Sequence, residues 1–164
     1  MRRRLVSLAV LELVNIPLFA FVLFGLLDVP PSAANLAGFG LFALLLVEGS
    51  AYWWLKLRQL RTGTPLPAGT GVFRVLLRVN VALLAAGGAL VLWQLSGGAR
   101  WIQVLPGLGL WLFAILEHVN YFHVQLMHDT RADLSRLLRS GLHRSHLWRD
   151  MDRHRRASAA RTAG

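Results

Sequence analysis

Three carboxyls sit where carboxyls are expensive. Glu12, Glu48 and Glu117 are all the glutamates of the chain, and each interrupts a long apolar run. An ionisable group at the centre of a membrane-crossing helix costs at least about 2.5–3.5 kcal/mol on insertion scales, so three of them require a chemical reason. Such a carboxyl can hold a proton, pair with a cation or ligate a metal. The basic groups at comparable depth in such runs are Arg78 and His118. With all three acids ionised against Arg78 alone, two negative charges are left over, or one if His118 is protonated. Desolvation and like-charge repulsion both oppose that state, so at least one glutamate is expected to carry a proton near neutrality or to bind a cation.

A stripe of polar residues runs on from Glu117. On a helix, Glu117, His118, Tyr121, Gln125, His128 and Asp129 fall within about a third of the circumference, with Asn120 at the margin. In the first apolar run Asn15 stands one turn from Glu12, so both runs read Glu-x-x-Asn. Pro17 frees the carbonyl of Leu13 for a neighbouring polar group. Glu and His suit zinc, manganese or iron, which makes Glu12, Glu48, Glu117 and His118 the candidate ligands of a divalent metal. A di-iron bundle would want Glu-x-x-His, and none occurs. No cofactor is expected. Cysteine is absent, which removes thiolate ligands and thiol nucleophiles.

The elements that must position these groups follow from hydropathy. The chain of 164 residues is 55% hydrophobic, with a mean hydropathy of +0.48. Helices that cross a bilayer need roughly 20 apolar residues. Four segments qualify, at 5–27, 34–55, 72–95 and 102–127. Together they predict an all-α integral membrane protein, a four-transmembrane-helix bundle occupying residues 1–129. The spacings Ala34/Gly38 and Ala85/Ala89 and the pair Gly87-Gly88 suggest close helix contacts. At 1.5 Å per residue, Glu12 lies roughly 10 Å, Glu48 roughly 12 Å, Arg78 roughly 9 Å and Glu117 roughly 15 Å from one common face. Each helix is thus expected to bring one charged residue to the same layer.

The net charge of +10 would ordinarily suggest nucleic acid. Its placement argues for a membrane instead. Arg2, Arg3 and Arg4 precede the first run, Lys56, Arg58 and Arg61 follow the second, and nine arginines lie beyond residue 130, whereas Arg100 is alone in the two short turns. The positive-inside rule then puts both termini in the cytoplasm of a bacterial cell with a multi-pass chain in its inner membrane. Residues 130–156 read as a basic amphipathic helix on the anionic inner leaflet, anchored by Trp148, Arg136 and Arg139. Residues 157–164 are expected to be disordered. No stacking aromatics are interleaved with the basic residues, so no nucleic-acid partner is expected.

These features support a proton- or cation-linked transporter or channel component. A protonatable glutamate in the first of four helices, Glu12, is similar to that of the small multidrug resistance transporters, and the resemblance implies exchange of protons for cationic compounds there. This chain is longer, has further membrane charges and carries a basic tail. One alternative is a membrane-embedded enzyme or metal-site protein acting on a lipid or quinone-like substrate. Another is an accessory subunit or homo-oligomer in which the cluster fixes helix register.

Overall fold

A computed structural model of the chain describes residues 2–67, 69–124 and 144–162. These residues form α1 (Arg2–Ala20), α2 (Ala33–Thr62), α3 (Thr70–Ser96), α4 (Leu105–Phe122) and α5 (His146–Thr162). With α1 prolonged by Phe21–Leu26 and α4 preceded by the 3-10 turn Trp101–Gln103, the first four are long and apolar enough to cross a membrane. Their outer surface is apolar as well: Leu11, Leu18 and Phe21 of α1, Val75 and Leu92 of α3, and Leu112 and Leu116 of α4 are all exposed. Monomers in water rarely present so continuous an apolar surface.

Local chemistry sets the ends of these helices. Pro17 has no N–H to give to the Leu13 carbonyl. Four residues further on, the helix widens to π-type hydrogen bonding over Phe21–Leu26, closed by the Leu27 N–H on the Val22 carbonyl at 2.9 Å. Pro30 and Pro31 then prevent re-entry into a helix until Ser32, whose hydroxyl caps α2 by accepting the Asn35 N–H at 3.2 Å. α2 continues seven residues past the expected boundary at Leu55, to Thr62, and stops at Gly63 in the left-handed conformation.

α2 is the axis of the bundle, burying Phe42, Leu45, Leu46 and Tyr52 against the other helices. It crosses α4 at Gly38 and Gly107, where a methyl on either glycine would collide with the backbone of the other helix. Asn35 fixes this crossing. Its side-chain amide donates to the carbonyls of Pro30 (2.9 Å) and Ile102 (3.1 Å), and its Oδ1 accepts the Gly107 N–H at 2.8 Å. The expected small-residue contacts divide accordingly. Ala34 and Gly38 lie in the α2–α4 crossing, and Gly87 and Gly88 lie under Leu41 and Trp111. Ala85 and Ala89 are exposed.

α4 ends at Phe122, earlier than the expected span to 127, because His123 leaves the helical region (φ −124°, ψ −67°) and Val124 pairs with Arg144 in an isolated antiparallel bridge. Glu117 is therefore five residues from the end of its helix, roughly 8 Å rather than 15 Å deep. Ser145 starts α5: its hydroxyl accepts the Trp148 N–H at 3.0 Å and donates to the Tyr121 carbonyl at 2.5 Å. Leu147 and Met151 then enter the core cluster that includes Tyr52, Phe73 and Phe122. The helix runs on to Thr162. Of the expected amphipathic helix 130–156, residues 130–143 lie outside the described residues, and the remainder caps the end of the bundle.

Candidate functional site

The three glutamates are distributed over two polar couples. In the first, Glu12 is 9 % exposed and accepts a hydrogen bond from the Tyr121 hydroxyl, joining α1 to α4. Sequence puts it there: Leu5, Ala9 and Glu12 form the one buried stripe of α1. α2 passes beneath as Gly49-Ser50. Gly49 lies against the Tyr121 ring with no room for a Cβ, and the Ser50 hydroxyl donates to the Ala9 carbonyl at 2.8 Å. Glu117 is one turn before Tyr121 and is the charged neighbour of Glu12. Asn120 hydrogen-bonds the Glu117 side chain, whose Oε2 is buried without a partner.

In the second couple the Asn80 amide of α3 donates to Glu48 Oε2 of α2 at 2.6 Å. Asn80 is 1 % and Glu48 7 % exposed. The remaining oxygens, Glu48 Oε1 and Asn80 Oδ1, have no partner. The two couples meet in sequence at Glu48-Gly49-Ser50, a single turn of α2.

Arg78 does not join either couple, against the expectation that it would neutralise them. It is exposed on the outer face of α3, beside Val75 and Val79. Two residues advance a helix by about 200°, so Arg78 and Asn80 cannot share a face. The short neutral amide is the cheaper group to bury, because it carries no charge to desolvate, whereas a guanidinium would have to shed the hydration of a full charge. Arg78 can instead extend its long stem along apolar surface toward a polar layer.

His118 is buried on the inner face of α4, stacked on Phe122 with ring centres 4.9 Å apart, and neither ring nitrogen has a hydrogen-bond partner. His123 lies 5.4 Å from it, ring centre to ring centre. Asn15 is half-buried on α1 and takes no part in the bond that holds Glu12. Gln125, His128 and Asp129 of the expected stripe, and Arg136 and Arg139 of the expected anchor, lie outside the described residues. Trp148 is half-buried, with the Arg144 guanidinium 3.7 Å from its ring centre. Among the described residues, no three His, Asp or Glu side chains converge in a manner suited to a metal ion.

A third polar group was not anticipated. Asp150 of α5, 2 % exposed, accepts hydrogen bonds from the Tyr52 hydroxyl (2.9 Å) and the Lys56 ammonium (2.7 Å) of α2. The signal available in sequence was its position on the same helical face as Leu147 and Met151, an acid on the apolar side of an arginine-rich helix. Tyr52 and Lys56 read equally well as an interfacial aromatic and a positive-inside charge, which hid the pairing.

With Arg78 turned outward, Glu12, Glu48 and Glu117 share their environment with a hydroxyl and amides but with no arginine or lysine among the described residues. Such a set can hold protons or coordinate a cation, and three bare carboxylates there would lack countercharge. No protein-family model, curated protein or solved structure matches the chain.

Proposed function

We propose that the chain is a small multi-pass inner-membrane protein, both termini cytoplasmic, in which Glu12, Glu117 and Tyr121 take up and release a proton or small cation as part of a transporter or channel. The observation that carries this reading is a pair of neighbouring carboxyls, Glu12 bonded to the Tyr121 hydroxyl and Glu117 to Asn120, with no arginine or lysine partner among the described residues. A carboxyl in hydrocarbon that is neutral when protonated and in need of a counterion when not is a natural loading group. Tyr121 can donate to the ionised Glu12 and shift to accept from it when it is protonated. The concentration of arginine and lysine at the end where α1 begins and α2 finishes supports the cytoplasmic assignment. Glu48, bonded through one oxygen to Asn80, joins α2 to α3 and serves helix packing.

Reconstituted protein with a pH-sensitive dye inside the vesicles tests the reading. Glu12→Gln and Glu117→Gln are expected to lower proton flux at least tenfold with unchanged helicity, while Glu48→Gln retains most of it. Metal analysis and flux of monovalent cations in the same preparations separate proton from cation loading. Wild-type flux in the folded Glu12→Gln/Glu117→Gln double variant would reject the proposal.

A second reading, an accessory subunit, is favoured by the outer face of α3. There Arg78 stands among exposed Val72, Val75 and Val79, a surface suited to a partner helix bearing an acid. Photocrosslinking from a diazirine-bearing residue at position 75, which inserts into any adjacent C–H or N–H bond, reports such a neighbour, and lack of any crosslinked product in native membranes removes this reading.

A further inference from the structure

We propose that a groove between the first turns of α1 and the last turn of α2 binds an acidic phospholipid, its phosphate held by Arg2, Arg3 and Arg61 and an acyl chain laid along Val6 and Val10. The groove has a volume of about 480 Å³ and is lined by these residues and Ser7. It is a shallow groove, open to the outside along its length.

The lining is sorted by depth. Residues 2, 3, 6, 7 and 10 of α1 fall within about 140° of the helix circumference, so they form one face. Arg2 and Arg3 stand at its start, and Arg61 lies in the last turn of the antiparallel α2. Val6 and Val10 lie roughly one and two turns deeper, about 6 and 12 Å along the axis. A charged rim above an apolar floor matches a molecule with an anionic head and a hydrocarbon tail. Inorganic phosphate would use the rim and leave the floor wet.

The three arginines are also free to act. All are exposed, and among the described residues no carboxylate pairs with them. The ion pairs of the described chain are made elsewhere, by Lys56 with Asp150 and by Arg155 and Arg156 with Asp152. Guanidinium groups present planar forks that fit phosphate oxygens two at a time. The lipid would bridge α1, the helix that carries Glu12, and the end of α2.

This inference rests on the reading that α1–α4 cross a bilayer, and it is independent of proton or cation loading. The test uses the full chain in vesicles of phosphatidylcholine with a minor fraction of phosphatidylglycerol, followed by native mass spectrometry of the lipid retained. Wild-type protein is expected to retain phosphatidylglycerol well above its bulk fraction. Arg61→Gln lowers that enrichment roughly fivefold, and Arg2→Gln/Arg3→Gln/Arg61→Gln abolishes it. Arg58→Gln, one turn earlier on α2 and outside the groove, leaves it intact. Equal losses in Arg58→Gln and Arg61→Gln would show a diffuse positive surface and overturn the site. Displacement of the lipid by millimolar inorganic phosphate would show a phosphate site and overturn it as well. Failure of the protein to float with the vesicles rejects the membrane reading itself, which is distinguishable from floating protein that shows no lipid preference.

Discussion

Replacing Asp150 by alanine is expected to undock α5 from the bundle while leaving α1–α4 in place. Asp150 is almost fully enclosed and accepts from both the Tyr52 hydroxyl, itself 2 % exposed, and the Lys56 ammonium. Its removal leaves a buried hydroxyl without an acceptor and a largely covered cation without its counterion. Loss of one member of a buried ion pair costs about 3–5 kcal/mol, and a stranded buried hydroxyl about 1–3 kcal/mol. Lys56 keeps 18 % of its side chain in solvent, so it can recover part of its hydration, and the expected cost falls at about 2–3 kcal/mol. If α5 opens locally, its amides then exchange roughly 30- to 150-fold faster in hydrogen–deuterium exchange, because each 1.4 kcal/mol is about tenfold. Asp150→Asn keeps an acceptor for Tyr52 and gives a smaller acceleration. Asp152→Ala is the control, since Asp152 pairs with the exposed Arg155 and Arg156 at i+3 and i+4 on its own helix, and α5 protection there stays near wild type. Two results refute the reasoning: unchanged exchange in Asp150→Ala, or acceleration spread equally over α2 and α4.

Three further outcomes are expected. Docking of α5 weakens with acid, because desolvation at the bundle end, then Arg149 and Lys56 with Arg4 beyond, outweigh Asp150 and hold the His146 imidazole below its ordinary value of 6.5. The undocked helix takes up the proton more readily, so the contribution is complete above that value and is lost as pH falls through it; limited proteolysis between about pH 7.5 and about pH 5.5 checks this, and His146→Gln flattens the profile. Asn80→Leu destabilises by about 1–3 kcal/mol in a thermal or denaturant melt by stranding Glu48, whereas Arg78→Gln stays within about 0.5 kcal/mol. Gly107→Ala loses about 1–3 kcal/mol at the α2–α4 crossing, while Gly40→Ala, which meets nothing within 4 Å, stays within about 0.5 kcal/mol.

The number, length and apolar character of the four long helices were legible in the sequence, since an apolar run of sufficient length has few other ways to satisfy its backbone. Span position placed the glutamates at 12 and 48 within apolar helices, and the fold puts them on the same faces as Ala9 and as Leu45 and Tyr52. What periodicity fixes is the angle of a side chain about its own axis. It does not fix how that helix is rotated against its neighbours, and that rotation decided the site. Asn80 and Arg78 are two residues apart on opposite faces, and only the packing of α3 on α2 selected the amide to meet Glu48. Likewise Tyr121 reaches Glu12 because Gly49 lets its ring approach α2 closely, a contact between residues far apart in the chain. The Asp150 pairing depends on the direction in which the chain returns after α4, which no local pattern encodes. Sequence alone determined that carboxyls would be enclosed in a helical, apolar bundle; the tertiary structure decided that, among the described residues, their partners are a hydroxyl and amides rather than Arg78.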